Sequence, residues 1–183
     1  MHRKRCKWVS LSNPAYVEYH DNEWGKPLHD DRRLFELLIL EGFQAGLSWE
    51  TILNKRENFR KAYRGFNPQA VAMFGPADID RMMKDKGIVR NRLKIADSII
   101  NAKAFLNLQE AEGSFDHYIW SFTQGKTINE PYNLRTTSGL SDEISKDLKR
   151  RGFKFVGSTI IYSFLQAMGI INGHGEECDD RPK

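Results

Sequence analysis

The chain has 183 residues and a mass of 21.2 kDa, which fits one domain or one domain with a small lobe. Hydrophobic residues make up 40% of the sequence and charged residues 28%. This composition excludes a disordered chain, a collagen-like fibre and a disulfide-dense miniprotein. No run of about 18 apolar residues occurs, which excludes a membrane-spanning helix. The basic N-terminus lacks the apolar segment of a secretory signal and the chain has two cysteines, so we expect a reducing, cytoplasmic location.

Positive charge is segregated along the chain, although the net charge is only +4. Residues 1–8, 54–64, 84–103 and 146–154 each carry a net +4, and the remainder carries −12. One basic face and one acidic face would produce this pattern, and a basic face favours nucleic acid as a partner. The alternative is that these segments are the solvated faces of unrelated helices.

Apolar residues recur at helical spacing through most of the sequence, which predicts an all-α fold. Asp30 and Asp31 are both candidate caps of the first strongly periodic helix, and Gly42 and Gly46 interrupt its pattern. Ser48 is the expected cap of the helix that follows.

The middle of the chain is predicted to contain two short helices that begin with proline, followed by two further helices. Asn67-Pro68 and Gly75-Pro76 each start a short helix, because proline is favoured at the first helical position. The second short helix stops near Gly87, a longer helix begins near Asn91, and Ser114 opens another.

The last third of the chain combines a loop, a basic helix and an apolar segment. Residues 125–139 are expected to form a loop, and Ser141 to cap a basic helix that Gly152 ends. The segment Val156–Ile171 is the strongest candidate for a central buried helix, although its β-branched residues leave a strand open. We expect the two termini to form an appendage on this helical core.

Two cysteines and two histidines lie near the ends of the sequence and suit a tetrahedral zinc ion. They are Cys6 and His20 at one end, and His174 and Cys178 at the other. Four protein ligands leave no position for water, so such a site would be a structural clasp of the termini. The alternatives are free cysteines beside unrelated histidines, or a Cys6–Cys178 disulfide, which a reducing compartment disfavours.

A carboxylate and a set of aromatic residues form a second candidate site. Glu41 lies in an otherwise apolar stretch, where a buried carboxylate is costly without a partner or a function. Aromatic faces beside an anion suit a flat, positively charged ligand such as a cationic alkylated purine. The aromatic residues in question are Trp8, Tyr16, Tyr19, Trp24 and Trp49. The alternative is that the rings are core packing and Glu41 lies on a solvated helix face.

Four long segments, in order, resemble the type I 3-methyladenine DNA glycosylases. They are CKWVSLSNPAYVEYHDNEWGKP, LEGFQAGLSWETILNKRENFRKAY, KDKGIVRNRLKI and KRRGFKFVGSTIIYSFLQAMGIINGH. The match covers almost the whole chain, and residues 107–140 are its least distinctive part. The resemblance implies the helix-hairpin-helix glycosylase fold in a single unit, 1–183, with a zinc-clasped region formed by residues 1–25 and 172–183. It also implies base-excision repair: hydrolysis of the glycosidic bond of 3-methyladenine flipped out of double-stranded DNA.

The same resemblance assigns roles to particular residues. Glu41 corresponds to the glutamate that recognises the base, and we take it as the principal active-site residue. Leu47 corresponds to the residue that fills the gap left by the flipped nucleotide. Tyr16, Tyr19 and Trp49 correspond to pocket aromatics, with Trp8 lining the same cavity. One structural zinc ion is implied, with Cys6, His20, His174 and Cys178 as its ligands.

The sequence departs from the pattern of the superfamily at two points. The hairpin segment, residues 87–91, has Val89 where a second glycine is usual, so Arg90, Arg92 and Lys94 are expected to grip phosphate through their side chains. The aspartate that serves many superfamily members as a general base has no counterpart in residues 125–139. No pocket lysine is implied that could form a Schiff base, so we expect a monofunctional enzyme that does not cleave the strand. We also expect a monomer.

Two other functions are compatible with the residues alone. The first is a zinc-stabilised module that binds DNA lesions without cutting the glycosidic bond. The second is a zinc hydrolase with an open metal site.

Overall fold

The computed structural model describes residues 3–130 and 135–181. Within these ranges the chain forms nine α-helices, one 3₁₀ turn (Arg64–Phe66) and two short strands, so the prediction of a predominantly helical fold is confirmed. The helices are α1 (Pro14–Asn22), α2 (Asp31–Gln44), α3 (Trp49–Ala62), α4 (Pro68–Ala72), α5 (Pro76–Lys84), α6 (Arg92–Glu112), α7 (Phe115–Ser121), α8 (Gly139–Arg150) and α9 (Ser158–Ala167). The strands β1 (Ile128–Asn129) and β2 (Ile171–Asn172) pair in parallel. In this part of the chain no helix has the length and apolar character needed to cross a bilayer.

Capping side chains start several of the helices at the predicted residues. Asp30 accepts a hydrogen bond from the backbone N–H of Arg33 at 2.8 Å, Ser48 caps α3, and Asn91 caps α6. Asp31, the other candidate cap, is the first residue of α2. Its carboxylate accepts hydrogen bonds from the backbone N–H groups of Phe115 and Asp116 at the start of α7.

The central helix of the core is α2. Every residue from Leu34 to Phe43 is buried, and α2 packs against α3, α6, α7 and α9. This burial on all sides explains why the α2 pattern is apolar all round rather than amphipathic. It also places Glu41 among apolar neighbours.

The prediction of a single helix over Val156–Ile171 is wrong at its C-terminal end. The helix α9 stops at Ala167, because Gly169 adopts a left-handed conformation with φ of 81°. A β-carbon at Gly169 would overlap the backbone of Lys26, so a larger residue cannot replace it. The chain then continues into β2, which pairs with β1.

Two further sequence predictions need correction. The cap of α8 is Ser138 rather than Ser141, and the two serines exchange backbone and side-chain hydrogen bonds in a capping box. The expected loop 125–139 contains β1, because Ile128 and Asn129 pair with Ile171 and Asn172. Residues 131–134 of that loop lie outside the described residues.

A buried ion-pair network fixes α1 against α2 and α3. Arg56 of α3 donates two hydrogen bonds to Glu23 at 2.7 and 2.9 Å, and a third to Glu36 of α2 at 2.6 Å. Arg60 adds another hydrogen bond to Glu36 at 2.9 Å. Since Arg56 and Glu36 are both buried, each charge depends on the other for compensation.

Candidate functional site

A cavity of about 190 Å³ lies where α1, α2, α3 and α9 meet. A cavity of about 150 Å³ accommodates benzene, so this one is on the scale of a single flat ring system. Its walls contain four aromatic side chains from the first 24 residues, a fifth from α3, and polar groups from α2 and α9. The lining residues are Trp8, Tyr16, Tyr19, Trp24, Glu41, Gln44, Trp49, Ser163 and Gln166.

Glu41 provides the only carboxylate among the residues that line this cavity. The residue is 3% exposed, and its Oε2 atom has no hydrogen-bond partner within the described ranges. Burial raises the pKa of Glu41 from 4.5 to about 8. The cavity therefore holds a carboxyl group that is mostly protonated at neutral pH and whose Oε2 atom can bind a ligand.

The aromatic walls contribute a hydrogen-bond donor without a partner, in addition to the Oε2 atom of Glu41. The Nε1 atom of Trp49 is buried and has no hydrogen-bond partner in the described part of the chain. The rings of Trp49 and Tyr19 lie 5.4 Å apart at 53°, and those of Trp8 and Tyr16 lie 5.4 Å apart at 48°. A flat ligand with both donor and acceptor groups would satisfy the polar atoms and contact the ring faces.

All the predicted pocket residues line this one cavity, but sequence reasoning missed part of its wall. Gln44 follows Glu41 by one helical turn in α2, and Ser163 and Gln166 lie one turn apart in α9. Two polar residues three positions apart inside an apolar segment share a helix face, which could have indicated that this face lines a polar site.

The turn between α2 and α3 presents Leu47 to solvent. Gly46 has a φ of 83°, and the backbone N–H of Leu47 donates to the carbonyl of Gln44 at 2.7 Å. Leu47 is 41% exposed, although a leucine is usually buried. The turn therefore holds an apolar side chain outward, one helical turn beyond the residues that line the cavity.

A second turn, residues 85–91, connects α5 to α6 and exposes Lys86, Arg90 and Asn91. Lys55 donates from Nζ to the carbonyls of Lys86 and Gly87 at 3.2 and 3.5 Å, which ties this turn to α3. Arg90 is exposed, and Arg92 is an exposed residue that pairs with Asp80 at 2.6 Å. Both arginines are accessible to a polyanion.

The position of Lys94 does not fit the predicted phosphate contact. This lysine is 9% exposed, and its Nζ atom donates to the carbonyls of Phe43 and Ala45 at 2.9 and 2.7 Å. The ammonium group points into the protein and is hydrogen-bonded to two backbone carbonyls. It is therefore not available for the phosphate contact expected from the sequence.

The chain termini bring together a compact group of metal-ligating atoms. One ligand atom from each of His20, His174, Cys178 and Asp180 lies within 4.8 Å of the others. His20 Nε2 and Cys178 Sγ are 3.5 Å apart, and His174 Nε2 is buried without a partner in the described residues. Three of the four predicted zinc ligands belong to this group.

Neighbouring side chains orient both histidines toward the centre of the group. The Nδ1 atom of His20 is 2.8 Å from Asp21 Oδ1, and that of His174 is 2.9 Å from Asn172 Oδ1. When Nδ1 donates to such an oxygen, Nε2 is left as the ligating atom. Burial lowers the pKa of His174 to about 4, so its imidazole is neutral at pH 7.

The fourth predicted ligand, Cys6, lies next to this group rather than within it. Burial, together with the neighbouring thiol of Cys178, raises the pKa of Cys6 to about 11. The backbone N–H of Cys6 is 3.4 Å from His20 Nε2. Both cysteines are buried free thiols. Asp180 occupies the remaining corner, with its Oδ2 atom buried and without a hydrogen-bond partner in the described ranges.

An array of rings connects the metal-ligating group to the cavity. The ring of Trp24 lies 4.7 Å from that of His174 and 4.8 Å from that of Trp8. The ring of Trp8 also lies 5.4 Å from that of His20. Trp8 and Trp24 line the cavity on one side and contact the histidines on the other, so the two sites share a wall.

Comparison with known proteins identifies the family. The sequence model of the methyladenine glycosylase family matches residues 8–181. The chain belongs to this family. It is 47% identical to the DNA-3-methyladenine glycosylase 1 of Escherichia coli K12, over 96% of this chain and 95% of that protein. It is 44% identical to the DNA-3-methyladenine glycosylase of Haemophilus influenzae, over 95% and 96%.

A solved structure agrees with the fold. A variant of 3-methyladenine DNA glycosylase I in complex with 3-methyladenine superposes with a TM-score of 0.93 at 39% identity, covering 98% of each chain. The helical architecture described above is therefore that of this glycosylase family.

Proposed function

We propose that this protein is a DNA-3-methyladenine glycosylase, which hydrolyses the bond between the alkylated base and its deoxyribose in double-stranded DNA. The observation that carries this proposal is the buried, unpaired carboxyl of Glu41 in a cavity walled by aromatic rings. A methyl group at N3 of adenine in DNA makes the base cationic. Membership of the methyladenine glycosylase family supports the same substrate.

The cavity selects a cationic base over a neutral one through Glu41. Burial raises the pKa of this carboxyl to about 8, so it is mostly neutral at pH 7. A cation that enters lowers the pKa, so the carboxylate forms and attracts the base within a low-dielectric site. The ring faces of Tyr16, Tyr19 and Trp49 add cation–π attraction of about 1 kcal/mol each. An unmodified adenine is uncharged and obtains neither contribution.

The base reaches this cavity only after it leaves the helical stack, which costs a few kcal/mol. The exposed side chain of Leu47 enters the vacated space and opposes the return of the base. Arg90 and Arg92, on the helix-hairpin-helix unit formed by α5, residues 85–91 and α6, hold phosphates without reading sequence.

In the chemical step, the bond between C1′ and N9 breaks and the bonding electron pair moves to the base. The positive charge on 3-methyladenine is neutralised in this way, so the base leaves as a neutral molecule. Water bonds to C1′ and gives up a proton to solvent. We propose a monofunctional reaction, because none of the residues that line the cavity is a lysine that could form a Schiff base.

We further propose that one zinc ion joins the termini through Cys6, His20, His174 and Cys178. The donor set fits zinc, because two thiols and two imidazoles are common in closed tetrahedral sites. The unpaired Nε2 of His174 and the short approach of His20 to Cys178 support this assignment. Arg3 neutralises Asp180 at the edge of the site. Such an ion contributes folding free energy and leaves the chemistry to the cavity. We also propose that residues 1–183 act as a single, monomeric unit.

The proposal is tested by measuring base release from methylated duplex DNA by chromatography. The wild-type protein is expected to release 3-methyladenine, and Glu41→Gln to release it at least a hundredfold more slowly while binding undamaged DNA equally well. Glu57→Gln is the matched control, because the Glu57 side chain is 72% exposed.

Two outcomes would contradict the proposal. Binding of methylated DNA by the wild-type protein without any free base would indicate a lesion-binding module. A loss of DNA affinity in Glu41→Gln equal to its loss of base release would remove Glu41 from the pocket function.

A further inference from the structure

Lys94 joins two parts of the molecule that are far apart in sequence. The residue lies in the first turn of α6, which follows the turn 85–91, and its own backbone N–H donates a hydrogen bond to the cap Asn91 at 3.0 Å. Its side chain crosses to the C-terminal end of α2 and donates to the carbonyls of Phe43 and Ala45. These contacts span 51 and 49 residues of sequence.

The carbonyls that Lys94 contacts are ones that a helix cannot satisfy by itself. The last four C=O groups of an α-helix lack intrahelical partners, and the C-terminus carries a partial negative charge. A buried ammonium group donates hydrogen bonds to these carbonyls and also balances the partial negative charge of the helix terminus. Burial lowers the pKa of Lys94, and the ring of Phe155, 5.7 Å from Nζ, adds a favourable contact for the cation.

The carbonyls also belong to the segment that the proposed function uses. Ala45 begins the turn that carries Leu47, and Gln44 lines the cavity. The pKa of Glu41 is shifted by burial and not by a charge on Lys94. Lys94 can therefore fix the position of the turn while leaving the charge of the pocket unchanged.

We propose that Lys94 is a positioning residue, which holds the turn 45–48 in the conformation that directs Leu47 into the DNA stack. It also sets the distance between this turn and the phosphate-binding turn 85–91. This inference rests on the proposed glycosylase function. A misplacement of a catalytic or positioning element by about 1 Å can cost about a hundredfold in rate.

The inference is tested with Lys94→Met, which keeps the apolar stem and removes the ammonium group. Lys103→Met is the matched control, because Lys103 is an exposed lysine on the same helix. Base release from methylated duplex DNA under single-turnover conditions should fall ten- to a hundredfold in Lys94→Met. Binding of free 3-methyladenine, followed by tryptophan fluorescence, should change less than twofold, because it does not require the turn.

A double-mutant cycle with Leu47→Ala identifies the route of the effect. If Lys94 acts through Leu47, Lys94→Met should slow the Leu47→Ala protein by less than twofold. Hydrogen exchange supplies a readout that is independent of activity. The amide of Leu47, which donates to Gln44, should exchange at least tenfold faster in Lys94→Met, while α9 stays protected.

Three results would overturn the inference while leaving the proposed function in place. The first is base release by Lys94→Met equal to that of Lys103→Met. The second is that Lys94→Met slows base release by the same factor in the Leu47→Ala protein as in the wild-type protein. The third is a loss of free-base binding as large as the loss of base release, which would indicate general damage to the fold. A different result, no base release even by the wild-type protein, would overturn the proposed function together with this inference.

Discussion

Replacing Glu41 with glutamine is expected to stabilise the folded protein at alkaline pH and to change little near pH 4.5. The reason is the burial of the carboxyl, which raises its pKa from 4.5 to about 8. Between these values the folded protein retains a proton that the unfolded chain releases. The contribution of Glu41 to stability is therefore most favourable below pH 4.5, falls as the pH rises to about 8, and then stays low. Glutamine does not ionise and avoids this loss.

The size of the effect follows from the two pKa values. One pKa unit corresponds to about 1.4 kcal/mol, so the full difference amounts to about 5 kcal/mol above pH 8. With a urea dependence of about 2 kcal/mol per M, the midpoint of unfolding should move by about 2.5 M. The unpaired amide of glutamine resembles the protonated carboxyl in its polar cost, which is why the two proteins converge at low pH.

Urea unfolding of wild type and Glu41→Gln at intervals from pH 5 to pH 9 measures this difference directly. The control is again Glu57→Gln, which removes an exposed carboxylate instead of a buried one. A gap between wild type and Glu41→Gln that stays constant over the whole range would refute the reasoning. It would mean that Glu41 ionises in the fold as easily as in water and is not the buried acceptor described above.

Two other expectations concern the parts of the fold that support the pocket. Cys178→Ser should lower the thermal midpoint and the zinc content measured by atomic absorption, because it removes a proposed ligand; full zinc occupancy would exclude that role. Arg56→Met should cost about 3–5 kcal/mol in urea unfolding, because Glu23 and Glu36 lose their buried partner. A loss no larger than that of Arg60→Met, which removes one hydrogen bond to Glu36, would show that Arg56 is not the centre of the network.

Local chemistry made the helix starts predictable from the sequence. Capping at Asp30, Ser48 and Asn91 depends on a side chain and a backbone group three residues away, so no distant part of the chain needs to be known. The end of α9 was not predictable in this way. It depends on Gly169, whose close approach to Lys26 involves a segment more than 140 residues away.

In the candidate site, too, some features could be predicted from the sequence and others depended on contacts between distant segments. Residue types alone indicated Glu41 and the aromatic set as a candidate site, and the resemblance gave them roles in a base pocket. The structure brings Tyr16, Glu41 and Trp49 to one cavity. The burial of Lys94 could not be deduced, because a lysine beside two arginines has the sequence pattern of a phosphate contact. Only the packing of α6 against α2 shows that its ammonium group is bound to carbonyls.

The charge pattern illustrates a limit of arguments from sequence segments. The basic stretch 54–64 includes Arg56 and Arg60, whose charges are balanced by Glu23 and Glu36 from other helices. In the stretch 146–154, Arg151 pairs with Glu112 of α6 at 2.7 Å. Part of each positive segment is thus neutralised inside the fold. The charge available to DNA is smaller than the sequence count and is better represented by exposed residues such as Arg90.

The shared ring array explains why a structural metal site would matter to base recognition. Trp8 and Trp24 have no α2 or α9 backbone to fix them, since one precedes α1 and the other follows it. Their contacts with His20 and His174 supply that support from the opposite side. An ion that fixes the two imidazoles would also restrict the two indoles, and with them one wall of the cavity. The termini of the chain therefore contribute to the shape of the pocket, although Glu41 itself lies in the central helix.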